Sequence, residues 1–162
     1  MKFKGEPLSV GQLISASNDA SGTQPLRKWP TAFDAARAAR ACSARIRAFG
    51  SRAECWRFGI LQTIDYYQSA VARGGVSAGS RVFRVEPAPT GDEMVDACFA
   101  ALAEYLADRD GWSAPQWTLT RYPTGEWVVP EWEEFRTEAV EQSPPPFKTR
   151  NIYVTPLDLT RA

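Results

Sequence analysis

Three consecutive segments of the chain each carry helix start and stop signals, and this pattern constrains the fold more than any other feature of the sequence. Each segment opens with a hydroxyl residue that an acidic residue follows three positions later, as in Thr31/Asp34, Ser51/Glu54 and Thr90/Glu93. The segments close on Gly50, Gly74-Gly75 and Gly111. A hydroxyl cap with an acidic third residue is typical of a helix start, and glycine is typical of a helix end. The sequence therefore predicts three helices, the first two joined almost without a linker.

The apolar residues of these segments recur at helical spacing. The first segment has one stripe, Ala35, Ala39, Cys42, Ile46 and Phe49. The second has Trp56, Ile60, Thr63, Ile64, Tyr67 and Val71, with Phe58 and Leu61 on another side. The third has Val95, Cys98, Phe99, Leu102, Tyr105 and Leu106. Because the second segment is apolar on two sides, we expect it to be the central helix.

The remaining segments predict shorter elements. Alternation of polar and apolar residues over 81–85 favours a short strand. Prolines at 115, 123 and 130 exclude a long helix from the tryptophan-rich segment. A last helix is then expected from about Pro130 to Gln142, and we expect it to bury Trp132, Phe135, Ala139 and Val140.

Length and composition predict one mainly α, compact helical domain with at most a small two-stranded β element. The 162 residues are 44% hydrophobic and include six tryptophans, which is enough to build one core. We divide this single domain, 1–162, into an irregular N-terminal segment (1–30), a helical core (31–142) and a proline-led C-terminal tail (143–162).

Composition also restricts the chemistry. The chain has no histidine, which excludes histidine-activated nucleophiles and imidazole-ligated metals. Its three cysteines are widely spaced and are expected to be buried apolar residues. The clustered glutamates between 126 and 141 are interpreted as a solvated face, because a carboxylate-only enzyme would need two acids together in a pocket. We therefore predict no enzyme activity, no catalytic residues, no cofactor and no metal.

The arginines of the first helix are the first candidate binding surface. Arg37, Arg40 and Arg47 fall largely on one side, away from the apolar stripe. Such a face is either merely solvated or contacts an acidic protein or nucleic acid. Because Lys+Arg and Asp+Glu are equal at 19 each, any basic site must be local.

The C-terminal tail is the second candidate. Pro144 to Pro146 favour polyproline II, which would present Phe147, Lys148, Arg150 and Tyr153 to a partner. The alternative is that the tail folds back and that "NIYV" pairs with "RVFRV" in a small sheet. Both alternatives predict an ordered tail.

The stretch "ACFAALAEYLADRDGWSAPQWT", followed by "EQSPPPFKTRNIYVTPLDLTRA", resembles a group of uncharacterised bacterial antitoxin-like or regulator proteins. Some of these carry an N-terminal helix-turn-helix and are encoded beside minimal nucleotidyltransferases, in an arrangement resembling toxin–antitoxin pairs. The resemblance covers roughly Thr90 to Ala162. The segment "LSVGQLISASNDASG" is too short for a complete helix-turn-helix.

We therefore expect a non-catalytic antitoxin-like or regulatory protein that binds and neutralises a partner protein, for example a nucleotidyltransferase-type toxin. The alternative is a nucleic-acid-associated transcriptional regulator that uses the local arginine face. The "MKFKGEPLSVGQLISAS" start lacks the apolar core of a signal peptide, and no apolar run reaches the roughly 20 residues of a membrane span. A cytoplasmic location without a membrane partner is expected.

Overall fold

The fold is mainly helical with one small sheet, as predicted. The computed structural model describes residues 33–160. Its α-helices are α1 (Ala35–Phe49), α2 (Arg52–Cys55), α3 (Leu61–Ser80), α4 (Glu93–Asp110), α5 (Glu133–Gln142) and α6 (Pro145–Lys148). A π-helical turn spans Trp56–Ile60, and 3-10 turns span Arg81–Phe83, Gln116–Thr120 and Pro156–Leu159. The strands are β1 (Trp127–Val128) and β2 (Ile152–Tyr153).

The helix ends follow the predicted signals in part. Gly50 and Gly111 close α1 and α4 in the left-handed conformation, at φ 63° and 74°, and Ser51 caps α2 through the Glu54 amide. The predicted cap of α4 was wrong, because Asp92 rather than Thr90 accepts the amide hydrogens of its first turn. The cap of α1 is Asp34. Thr31, which we expected to open this helix, lies outside the described residues.

The helix α3 continues from α2 through the π-helical turn, and a glycine in that turn permits its packing on α1. A Cβ at Gly59 would lie 2.3 Å from the Cys42 Sγ atom, well inside van der Waals contact. The two helices can therefore cross closely only because position 59 has no side chain. The predicted break at Gly74 and Gly75 is present, since both have non-helical backbone angles, but helical turns resume and continue to Ser80.

The central helix is α4, not the second predicted helix. Its predicted stripe is buried apart from Tyr105, and alanines on its other sides, such as Ala100 and Ala103, are buried too. Small side chains on every face allow neighbours to approach from several directions. The second apolar side expected on the α2–α3 segment is divided, because Phe58 is 40% exposed whereas Leu61 is half-buried against the core.

The sheet pairs β1 with β2 in parallel, with Trp127 opposite Ile152 and Val128 opposite Tyr153. The prediction of a strand over 81–85 was wrong, because that segment begins with a 3-10 turn. Both Val82 and Phe83 are buried although they are adjacent. A strand would send neighbouring side chains to opposite faces, whereas a turn can bury both.

The C-terminal tail folds back onto the core, as in the second of the two alternatives. The pairing partner expected in that alternative was wrong, because "NIYV" pairs with Trp127–Val128 and not with "RVFRV". Pro144 has the extended angles of polyproline II (φ −59°, ψ 149°), but Pro145 begins α6. Phe147, Ile152 and Val154 are fully buried. The tail is therefore part of the compact unit that begins at Phe33. The N-terminal segment predicted to be irregular (1–30) lies outside the described residues.

Candidate interaction surface

The helix α5 presents large apolar side chains to solvent. Trp132 is 71% exposed at the helix start, and Phe135 and Val140 are each 46% exposed. We had predicted that these three residues are buried, and that prediction was wrong. Within α5 only Ala139 is fully buried. We call Trp132, Phe135 and Val140 the α5 apolar patch.

Acidic residues lie next to the α5 apolar patch in the sequence. Between residues 131 and 142 the chain has five glutamates and one arginine. The arginine, Arg136, pairs with Glu133 at 3.4 Å, and the other four glutamates make no ion pair with any residue of 33–160. All but the half-buried Glu138 are exposed. The expectation that the clustered glutamates form a solvated face is confirmed.

The position of α5 is fixed at its C-terminal end, which leaves the patch facing outward. Ser143 is buried, and its hydroxyl donates to the Ile152 carbonyl and accepts from the Val154 amide. The sequence signal for an exposed helix is the composition of α5, because four of its ten residues are glutamates and only three are apolar.

The predicted arginine face is on the surface. Arg37, Arg40 and Arg47 of α1 are all exposed, while Ala35, Ala39 and Cys42 are buried on the other side of the helix. The Arg37 guanidinium lies 5.8 Å from the Phe33 ring centre. The face is therefore accessible to a partner.

The predicted tail residues divide into two groups. Lys148 is exposed and donates from its amine to the Glu141 carbonyl at 2.7 Å, and Tyr153 is half-buried. Phe147 and Arg150 are fully buried in the core. The structure thus does not bring the four tail residues together on one surface.

Arg150 fastens the tail to the core through all five of its N–H donors. Its guanidinium makes two hydrogen bonds to the Glu104 carboxylate, at 2.7 and 2.8 Å. The remaining donors reach the carbonyls of Arg121, Pro146 and Thr118. A buried charge is tolerated only when it is paired and fully hydrogen-bonded, and this arginine meets both conditions.

The carboxylate of Glu104 stays ionised because of its contact with Arg150. Burial by itself raises the pKa of Glu104, but hydrogen bonds from Arg150 and Thr118 and the arginine's charge outweigh it, so the pKa lies below its ordinary value. Glu104 therefore remains ionised opposite Arg150. This pair holds the tail in place and is not available as a catalytic acid.

A second polar network joins α3 to the end of α4. The Tyr67 hydroxyl donates to Asp110 at 2.6 Å and accepts from the Trp112 indole N–H at 2.9 Å. Burial, followed by the hydrogen bond to Asp110, raises the pKa of Tyr67 to about 12 from an ordinary value of 10.0. Arg109 also binds Asp110, at 2.8 Å.

We predict that replacement of Tyr67 by phenylalanine changes how stability depends on alkaline pH. Because the pKa of Tyr67 is raised in the folded state, its contribution to stability is complete below pH 10 and is lost as the pH rises through about 12. The free energy of unfolding of the natural chain should therefore fall more steeply over this range than that of Tyr67→Phe. Urea unfolding at several alkaline pH values measures the two slopes, and equal slopes would contradict the assignment.

The cysteines of the described residues lie in the core, and no metal-binding cluster is found in residues 33–160. Within residues 33–160 there is no group of three or more histidine, cysteine or acidic side chains placed to hold a metal. Cys42, Cys55 and Cys98 are buried free thiols, as expected. Burial raises the pKa of Cys98, and a hydrogen bond with Cys55 followed by burial raises that of Cys42, so neither is a reactive thiolate at neutral pH.

Comparison of the chain with protein-family models, with curated proteins and with solved structures found no match. None of the helices between residues 33 and 160 has both the length and the apolar character needed to cross a bilayer. The α5 apolar patch and the α1 arginine face are both exposed to solvent.

Proposed function

We propose that this chain is a non-catalytic antitoxin-like or regulatory protein that binds and neutralises a partner protein. The observation that carries the proposal is the α5 apolar patch, where Trp132, Phe135 and Val140 are exposed together on one helix and its start. Clustered exposed apolar side chains mark protein-binding surfaces, and tryptophan is the residue most often found as an energetic anchor in them.

The surroundings of the patch favour a basic partner surface. Glu131, Glu134 and Glu141 are exposed around it and have no ion-pair partner among residues 33–160. Acidic side chains at the rim of an interface speed the approach of a basic partner, and the apolar centre supplies most of the binding energy. A groove with an apolar floor and basic edges would complement this helix.

The arginine face of α1 supports a second contact with the same partner. Arg40 and Arg47 are exposed, and their side chains make no hydrogen bond or ion pair with residues 33–160. Arginines on such a face could cover an acidic cleft. The resemblance of residues 90–162 to proteins encoded beside minimal nucleotidyltransferases favours a nucleotidyltransferase-type toxin as this partner, because its metal-binding active site would be acidic.

Removal of the α5 anchors is expected to weaken partner binding strongly. The double variant Trp132→Ala/Phe135→Ala should weaken binding to a nucleotidyltransferase encoded beside the gene by about 100-fold, since two truncated anchors together cost roughly 2.7 kcal/mol. Binding is measured by isothermal titration with the purified nucleotidyltransferase. Neutralisation is measured as the relief of its toxicity when the two proteins are co-expressed.

The matched control is Leu157→Ala, because Leu157 is 77% exposed but lies outside the α5 apolar patch. This variant should bind as the natural chain does. If the natural chain bound the nucleotidyltransferase and the double variant bound it with the same affinity, the α5 apolar patch would not be the binding surface. A nucleic-acid function would instead be supported by salt-dependent oligonucleotide binding that Arg37→Glu/Arg40→Glu abolishes.

A further inference from the structure

A small cavity of about 270 Å³ lies where the end of α3 meets the segment that follows α4. It is lined by Ser80, Arg81, Arg84, Trp112, Ser113 and Pro115. The lining residues thus include two arginines, two serines and one tryptophan, and they include no acidic residue. Neither the α5 apolar patch nor the α1 arginine face contributes to this cavity.

The two arginines of the cavity lack anionic partners. Arg81 and Arg84 are exposed and make no hydrogen bond through their side chains and no ion pair with residues 33–160. Six other arginines in the same range do pair with a carboxylate, namely Arg45, Arg52, Arg109, Arg121, Arg136 and Arg150. Two unpaired guanidinium groups in one concave site give it a local positive charge.

The wall that carries the arginines is held firmly. The 3-10 turn is closed by the Arg84 amide, which donates to the Arg81 carbonyl at 3.2 Å. Phe83 within this turn is fully buried and stacks against Trp112, with ring centres 6.1 Å apart. The Trp112 indole is itself fixed by its hydrogen bond to Tyr67. The backbone positions of both arginines are therefore set before any ligand arrives.

The acidic groups that neighbour the lining residues in sequence do not cancel this charge. Glu86, two residues after Arg84, pairs with Arg121 at 2.9 Å. Asp110, two residues before Trp112, accepts hydrogen bonds from Arg109 at 2.8 Å and from the Tyr67 hydroxyl at 2.6 Å. Its charge is compensated by the adjacent guanidinium of Arg109, so that an anion in the cavity is not opposed by an unpaired carboxylate.

We propose that this cavity binds the phosphate group of a small phosphate monoester. Arginine guanidinium groups bind phosphate oxygens through paired hydrogen bonds, and two of them can neutralise a dianion. The Ser113 hydroxyl is exposed and available as a further donor, whereas the Ser80 hydroxyl already donates to the Ser77 carbonyl. A volume of about 270 Å³ admits a phosphate group with a small organic remainder.

The proposal is tested by isothermal titration of the full chain with inorganic phosphate and with glycerol 3-phosphate in low-chloride buffer. Both should bind saturably, and Arg81→Gln/Arg84→Gln should weaken binding by about tenfold or more, because two charge-assisted contacts are lost. The variant Arg81→Lys/Arg84→Lys keeps the charge and loses the planar fork. Its phosphate affinity should lie between that of the natural chain and that of Arg81→Gln/Arg84→Gln. Both arginines are exposed, so unchanged thermal unfolding of each variant is expected.

The matched control is Arg40→Gln/Arg47→Gln, which removes the same charge from another exposed site. It should leave phosphate affinity within about twofold of the natural chain, because neither arginine lines the cavity and exposed charges are screened by salt. Equal weakening by both double variants, or absence of saturable binding to the natural chain, would overturn the proposal.

Displacement of phosphate by a short oligonucleotide that binds more tightly than glycerol 3-phosphate would overturn the small-ligand assignment. Trp132→Ala/Phe135→Ala should still bind phosphate, so this proposal and that of partner binding fail separately.

Discussion

Replacement of Arg150 by alanine is expected to lower the free energy of unfolding by about 3–5 kcal/mol, the usual cost of removing one member of a buried ion pair. The substitution would remove five hydrogen bonds and leave Glu104 and three carbonyl groups without their donor. Urea unfolding followed by circular dichroism measures the change.

Two further variants show whether this loss comes from the geometry of Arg150. Arg150→Lys should recover only part of the stability, because an ammonium group cannot reproduce the planar fork on Glu104. Arg47→Ala, at an exposed arginine of α1, should change stability by no more than about 0.5 kcal/mol. A loss below about 1 kcal/mol for Arg150→Ala would contradict the role assigned to this residue.

The ion pair between Arg150 and Glu104 predicts a loss of stability in acid. Because the pKa of Glu104 is lowered in the folded state, its contribution is complete above its ordinary value of 4.5 and is lost as the pH falls through the lowered value. The difference in stability between the natural chain and Arg150→Ala should therefore shrink below pH 4.5.

Replacement of Phe147 by alanine is expected to destabilise the protein by about 3–5 kcal/mol, the usual cost of deleting a buried phenylalanine ring. Phe147 is fully buried and meets Tyr105 of α4 edge-on, with ring centres 6.2 Å apart. The loss of this ring would leave a cavity between α6 and α4, and urea unfolding measures its cost.

Trp132→Ala is the appropriate comparison, because it removes a larger ring from a site that is 71% exposed. It should alter stability by no more than about 0.5 kcal/mol, since little apolar area returns to water. Similar losses for both variants, or a larger one for Trp132→Ala, would show that the core and surface aromatic residues have been assigned the wrong way round.

The predictions from sequence succeeded where local chemistry determines the structure. Gly50 and Gly111 end helices because glycine readily adopts a left-handed conformation, and this depends little on distant residues. Prolines 123 and 130 likewise prevented a long helix before α5. The mainly helical fold and the burial of the three cysteines followed from the same kind of pattern.

The predictions failed where distant segments determine burial. Val82 and Phe83 resemble part of a strand, but a 3-10 turn buries both against neighbours that a local pattern does not contain. Trp132 and Phe135 were assigned to the core because they are apolar and helically spaced. Their exposure depends on how Ser143 and the sheet orient α5, which involves contacts with residues about ten positions away.

For the C-terminal tail one prediction succeeded and another failed. Its order was predicted correctly, but Arg150 was expected on the surface because arginine is almost never fully buried unless it is paired. Its partner, Glu104, lies 46 residues earlier in the chain. Burial of this arginine removes it from the candidate contact residues. The exposed surfaces of α5 and α1 remain for the proposed partner.

The central claim is that the C-terminal tail is an integral part of the core, which leaves α5 as an exposed surface. Native-state hydrogen exchange tests it through the amides of Trp127, Val129 and Val154, which donate to Asn151, Tyr153 and Ser143. We predict that these amides exchange only through global unfolding, with the same free energy as amides in the middle of α4. Exchange at the rate of an unstructured chain, while the α4 amides stay protected, would contradict the claim.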